Sequence, residues 1–256
     1  MSIYMQLLNK PVFTVDDVNI YYDNLNSARS AIYRLIKANM VKKIRNNLYT
    51  CVIGANGEVN ANRFQIACGI NDTAYISHHT AMEYYGITDQ VYYDVYVSSK
   101  TTFNDFEFDG YTYHYVKPAI DKGVEKIPYS GGISVTDKER TVLDSLKDMD
   151  KISGAEEVLS NIEDVGKLNE GKLIEYLAEY DNKFLYQKTG LVIFTEGKTE
   201  YLYMQKLMDM CKNNIGNSKR YFSNEKGPST YNKEWQLVVP DRLLELKNGG
   251  IIDADI

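Results

Sequence analysis

Between residues 28 and 52 the spacing of apolar side chains changes from a helical period to a strand period, and basic residues crowd into the change. Ala28, Ala31, Ile32, Leu35 and Ile36 form one stripe at 100° per residue. Two β-rich runs follow, Val41-Lys42-Lys43-Ile44 and Leu48-Tyr49-Thr50-Cys51-Val52, separated by Arg45-Asn46-Asn47. Asn tolerates positive φ better than most residues, so Asn46-Asn47 suits a tight turn. A helix over about 27–39 with a basic hairpin directly behind it is expected.

Two shorter helices precede it. Ile3, Leu7 and Leu8 mark the buried side of the first, which Pro11 ends because proline cannot continue the hydrogen-bond ladder. Thr14-Val15-Asp16-Asp17 is a capping signal, with a hydroxyl at the cap and a carboxylate three residues on. Val15, Val18 and Tyr22 then face inward, and Asp23-Asn24 reads as a turn. Three helices and a hairpin in this order predict a winged helix-turn-helix.

The polar side of the third helix carries Asn26, Ser30, Tyr33, Arg34 and Lys37. Short polar residues near the start and Arg further along can read base edges, while Lys and Tyr reach phosphates. Lys42, Lys43 and Arg45 complete the expected DNA-binding set, with Arg45 at the wing tip over a phosphate or in the minor groove. Charge is distributed accordingly. Residues 1–52 hold seven basic and three acidic side chains, +4, while the rest hold 22 and 32, −10. A basic end on an acidic protein confines the electrostatic footprint for phosphate to one place.

At 256 residues the chain suits two domains. Gly54-Ala55-Asn56-Gly57 reads as a linker between a DNA-binding domain, 1–53, and a larger body, 58–256. In the body, Asn60–Cys68 and His78–Tyr85 read as helices, and Val91, Tyr93, Val95 and Val97 as a strand. Asp109-Gly110 between two alternating aromatic runs is a hairpin signal. Thr136-Asp137-Lys138-Glu139 repeats the capping pattern before a helix burying Val142, Leu143 and Leu146. Helical stretches follow at 154–162, 170–180 and 200–213, and 226–237 reads as loop. The expected class is α+β: a winged helix-turn-helix, then a small sheet with several helices.

Cys51, Cys68 and Cys211 are odd in number and share no close spacing, so neither a disulfide framework nor a zinc knuckle is expected. His78 and His79 are adjacent and diverge by about 100° on a helix, which does not chelate one ion. Gly190 and Gly197 have six residues between them, where a phosphate-binding loop needs four. No metal and no cofactor is expected. The first residues lack a charged-then-apolar leader, and no apolar run approaches the ~20 residues that cross a bilayer. A soluble, cytoplasmic protein is the expectation.

Several segments together resemble one family. They are the wing ending Asn47-Leu48-Tyr49, Tyr75-Ile76-Ser77-His78-His79-Thr80-Ala81-Met82-Glu83-Tyr84-Tyr85-Gly86-Ile87, and Val135-Thr136-Asp137-Lys138-Glu139-Arg140-Thr141-Val142-Leu143-Asp144. Glu156-Glu157-Val158-Leu159 and Tyr231-Asn232-Lys233-Glu234-Trp235 fit as well. In order and spacing, from about residue 10 to 245, they resemble the AbiEi antitoxins of abortive-infection toxin–antitoxin pairs. The resemblance implies a winged-helix domain that binds inverted repeats in its own promoter and represses the operon. It further implies a C-terminal domain that counters a nucleotidyltransferase toxin without a stable complex, an antagonism called type IV. Asn47 stands where the family often has Gly, and Thr195-Glu196-Gly197-Lys198-Thr199-Glu200 is a departure from its pattern.

Two other readings use different residues. A strand at Leu191-Val192-Ile193-Phe194, then Glu196-Gly197, a helix, and Asp253-Ala254-Asp255 resemble the acidic pattern of magnesium-dependent TOPRIM-like nucleic-acid enzymes. A winged helix can also serve as a scaffold for protein contacts. Glu139, Arg140 and Asp144 invite an active-site reading, against which stand a cap for Glu139 and an i,i+4 pair for Arg140 and Asp144. No catalytic residue is assigned.

Overall fold

The computed structural model describes residues 2–88, 90–152, 154–194 and 203–247. They fall into two units, each built from three stretches of chain: 1–80, 91–118 and 124–136 in the first, and 81–90, 119–123 and 137 onward in the second.

The first unit begins with α1 (Ile3–Leu7), α2 (Val15–Asn19), α3 (Leu25–Lys37), β1 (Val41–Arg45) and β2 (Leu48–Cys51). Thr14 caps α2 in a reciprocal box with Asp17, and the Asn24 side chain caps α3 by accepting from the Ser27 amide. Leu7, Phe13, Val15, Val18, Ala28, Ile32, Val41 and Cys51 form the core beneath these elements, with Leu35 and Ile36 packed on it. The apolar stripe of α3 is therefore the buried one. Phe13 exchanges two backbone hydrogen bonds of 2.9 Å with Tyr49, which ties the α1–α2 connection to the hairpin.

Residues 54–57 are not a linker. Val52 bridges to Val59, the Ile53 amide donates to Glu58, and the Asn60 side chain donates to the carbonyls of Leu8 and Lys10. The expected boundary between 53 and 58 thus falls inside the first unit. These backbone groups are satisfied locally, whereas a linker would leave them to water.

The unit continues with α4 (Arg63–Cys68), β3 (Tyr75–Ile76), α5 (His78–Tyr84), which runs on into the second unit, β4 (Asp94–Ser98), β5 (Phe106–Phe108), β6 (Tyr111–Val116), β7 (Val124–Lys126) and β8 (Ser134–Thr136). The last six strands form one sheet in the order β5-β6-β4-β3-β8-β7, mixed in direction. Asp109 and Gly110 both have positive φ, 53° and 83°, as the two-residue hairpin turn requires. Val95, Val97 and Tyr113 are buried on one face. Val91 and Tyr93, expected in the strand, lie before it and are exposed.

The second unit comprises α6 (Lys138–Ile152), α7 (Ala155–Asp164), α8 (Glu170–Tyr180), α9 (Lys183–Phe194), α10 (Gln205–Asn214), β9 (Arg220–Tyr221), β10 (Ser229–Asn232), β11 (Leu237–Pro240) and α11 (Asp241–Lys247). Its core gathers Leu143, Leu146, Leu177, Leu191, Leu207, Trp235 and Leu237. Residues 191–194 are the end of α9, not a strand. The helix is buried from Leu185 to Ile193 with no solvent-facing side, Gln187, Lys188 and Thr189 included, so its sequence shows no 3.6-residue alternation. Gly190 is required there, since a Cβ would sit 2.0 Å from the Trp235 ring. Residues 226–237, expected as loop, hold β10 and the first residue of β11, and the two strands pair antiparallel. The architecture is α+β. Among the described residues no helix is long and apolar enough to cross a membrane.

Candidate nucleic-acid interface

Asn26, Ser30, Tyr33, Arg34 and Lys37 are all exposed on the outer side of α3. The helix contains no acidic residue, so no carboxylate on it competes for these cations. Arg34 and Lys37 stand in its last turn, where they also complement the helix dipole. Lys37 lies 5.4 Å from the centre of the Tyr33 ring, and Tyr33 is 59% exposed. Thirteen residues at about 1.5 Å each make α3 about 20 Å long, enough to cross a major groove about 12 Å wide.

The hairpin faces this helix. Arg29, Ser30, Ile32, Tyr33, Arg34, Ile36, Lys43 and Tyr49 line an open groove of about 600 Å³ between them. Four of the expected residues meet there: Ser30, Tyr33, Arg34 and Lys43. Arg29 is an addition, exposed and on the same groove. Its sequence signal was its own charge, set beside the small residues Ala28 and Ser30. Lys42 is half-buried and Lys43 exposed on β1.

Arg45 is placed differently from the expectation. It is half-buried, and its guanidinium lies 5.3 Å from the Phe103 ring centre and 4.9 Å from that of Phe106. The reason is a register irregularity. Lys43 pairs with Tyr49 and Arg45 with Leu48, so β1 bulges between them and re-aims Arg45. Desolvation pulls its pKa down. The turn residue Asn47 has φ 56°, and its side-chain oxygen accepts the Val15 amide at 3.0 Å. Asn thus supplies both the turn conformation and a tie to α2, of which glycine could supply only the first.

The acidic and histidine positions separate into structural sets. His78 Nδ1 meets Ser77 Oγ at 2.8 Å, while His79 stacks on Tyr92 at 4.2 Å and donates to the Asp94 carbonyl. The two rings therefore have different surroundings. His114 meets Asp105 at 2.7 Å through Nδ1 and Asp94 at 3.1 Å through Nε2, and as the imidazolium it donates to both. Burial pulls its pKa down, but the two carboxylates outweigh burial and hold it above the ordinary value. Among the described residues no group of three or more His, Cys, Asp or Glu is placed to hold a metal ion.

In the second unit Arg140 and Asp144 pair at 2.7 Å as i and i+4, and both are buried. Arg140 also donates to the Lys122 carbonyl. Tyr180 donates to Asp144, and Tyr176 and Lys172 donate to Asp137. The cap of α6 is Asp137, which accepts the Arg140 amide at 2.9 Å, in place of the expected Thr136. Glu139 instead accepts the Asn169 amide at 2.7 Å, so its carboxylate latches a second segment and is not free to close the box. The segment 195–200, with Glu196, and the pair Asp253 and Asp255 lie outside the described residues.

No protein-family model and no curated protein matches this chain. Among solved structures, the crystal structure of the RV2827C protein from Mycobacterium tuberculosis is similar, with a TM-score of 0.65 at 14% identity. The match covers 96% of this chain and 93% of that one. The α+β fold is thus shared along nearly the whole length of both proteins, and at this identity the likeness speaks for fold alone.

Proposed function

We propose that α3 and the β1–β2 hairpin act as a winged helix-turn-helix on double-stranded DNA. In this reading α3 enters the major groove with Asn26, Ser30, Tyr33, Arg34 and Lys37, and Lys42 and Lys43 neutralise phosphates. Arg29 joins them from the same groove. The observation that carries the reading is the open groove that gathers Arg29, Arg34 and Lys43 beside an α3 free of carboxylates. Positive charge concentrated on an otherwise acidic chain supports it.

The sequence resemblance to AbiEi antitoxins supports the wider reading. The protein represses its own operon at inverted repeats and, as a non-enzymatic cytoplasmic antitoxin, counters a nucleotidyltransferase toxin without a stable complex. A gel shift at physiological salt on the DNA upstream of its own coding sequence tests the first half. A shift abolished in Arg34→Ala, with an unrelated duplex bound far more weakly, is expected. Equal binding of both duplexes would remove the repressor reading, and no binding at all would favour a protein-contact role for the same face. Co-expression with a nucleotidyltransferase toxin tests the second half: growth should be restored, while the two proteins elute separately on size exclusion.

A further inference from the structure

Arg45 stands on the hairpin between two rings, Phe106 on β5 of the six-stranded sheet and Phe103 in the connection that leads into β5. Phe103 and Phe106 pack edge-on at 6.4 Å, Phe106 stacks on Tyr113 at 4.7 Å, and Phe103 meets Tyr115 edge-on at 5.4 Å. The guanidinium therefore rests on an aromatic bed that its own hairpin does not supply. Its Nη1 is closed off from solvent and has no hydrogen-bond acceptor among the described residues. A phosphate could not reach that nitrogen. The bulge that turns Arg45 inward leaves Lys43, two residues earlier on the same strand, exposed and facing the α3 groove.

We infer that Arg45 is a positioning residue for DNA binding: it pins the hairpin to the sheet through Phe103 and Phe106, and so fixes the height of Lys43 and Tyr49 beside α3. This rests on the DNA-binding reading above and adds how the reading head is held. A hairpin of two strands alone is marginal in water. Its Phe13–Tyr49 bridge holds one side, and the Asn47 bond to the Val15 amide and the Arg45 stack together hold the tip. Binding is thereby coupled to two rings that are not part of the proposed DNA-contacting set.

Two measurements test this on the full-length protein. The first is hydrogen exchange of the amides of residues 41–51 without DNA. Arg45→Ala and Phe106→Leu should both speed exchange there, while Phe106→Tyr, which keeps the ring, should behave as the parent. The second is affinity for a short duplex across a salt series. Arg45→Ala and Phe106→Leu should each weaken binding by about threefold to tenfold, the range a cation–π contact accounts for. The slope of log affinity against log salt should stay that of the parent, and the double variant should be no weaker than either single one. Lys43→Ala, the phosphate comparator, should lower the slope by about one unit.

A slope lowered by about one unit in Arg45→Ala, with Phe106→Leu binding as the parent, would overturn the inference and make Arg45 a phosphate contact. Unchanged hairpin exchange in both variants would overturn it as well. If the parent bound no duplex at any salt, the DNA-binding reading would fall, and the exchange result alone would decide whether the pin exists. Phe106→Leu keeps a core-sized side chain, and an unchanged unfolding midpoint separates loss of the pin from loss of the fold.

Discussion

The polar side of α3 and the first turns of α6 draw on the same kinds of side chain and put them to opposite ends. On α3, Asn26, Tyr33, Arg34 and Lys37 stand exposed. On α6, Arg140 and Asp144 are buried and joined, with Tyr180 on one of them, and Asp137 ahead of the helix takes Tyr176 and Lys172. The difference follows from local composition. Within Leu25–Lys37 there is no carboxylate, while Lys138–Ile152 interleaves acids and bases. An Arg with an acid four residues downstream, on a helix whose every side meets protein, becomes a strut. An Arg with no acid on its helix and water on its face is left for an outside anion.

The strongest way to break this contrast is to remove half of the strut. Asp144→Ala leaves Arg140 buried without its carboxylate and should cost about 3–5 kcal/mol, read from the urea unfolding midpoint. A loss below about 1 kcal/mol, the level of a surface pair, would mean that Arg140 is not a strut. The matching change on the other side is Arg34→Ala. It should cost about 1–3 kcal/mol of the proposed duplex binding while moving unfolding stability by no more than about 0.5 kcal/mol. A large change in stability from Arg34→Ala would erase the distinction between the two helices.

Asn47→Ala should cost about 1–2 kcal/mol of stability in urea unfolding, since it loses the bond to the Val15 amide and strains a residue at φ 56°. Asn47→Gly relieves the strain and loses only the bond, so it should cost less. If the two changes cost the same, the left-handed backbone at position 47 imposes no strain on alanine.

The smallest effect is a pH dependence. His114 has a raised pKa in the folded protein, so the stability it contributes is fully present below its unfolded pKa of about 6.5 and is lost as pH rises through the folded value. His114 is partly exposed and screened, so the swing should stay under about 1 kcal/mol. Comparing unfolding midpoints at pH 6 and 8 should show a smaller difference in His114→Gln than in the parent. An equal difference in both would remove His114 as its source.

Local signals carried much of the first unit. The α3 stripe, the Thr14 cap and the Asn46-Asn47 and Asp109-Gly110 turns are all decided by residues a few positions apart, and they form as expected. The exposed set on α3 was legible for the same reason: a helix that buries one stripe must show the other. Arg45 was not legible. Its destination is set by a bulge and by two rings far along the chain, Phe103 and Phe106, and a regular alternation of Lys43 and Arg45 would have turned both outward. Helix α9 was hidden because it is buried on all sides, Gln187, Lys188 and Thr189 included, and carries Gly190 where Trp235 needs room. The edge between the units was hidden because a Gly-rich stretch looks the same as a turn and as a linker. The bonds from Ile53 and Asn60 make it a turn.

The threading of the chain limits how this protein can be taken apart. Because 91–118 and 124–136 return to the first unit after the second has begun, no single cut separates the two. A fragment starting near residue 58 would keep Phe103 and Phe106 but lose the guanidinium that covers them, and would expose the rings to self-association. Gene fusion or recombination at the Gly-rich stretch would meet the same obstacle. Lineages that exchange their first fifty residues would therefore have to exchange much of the sheet along with them.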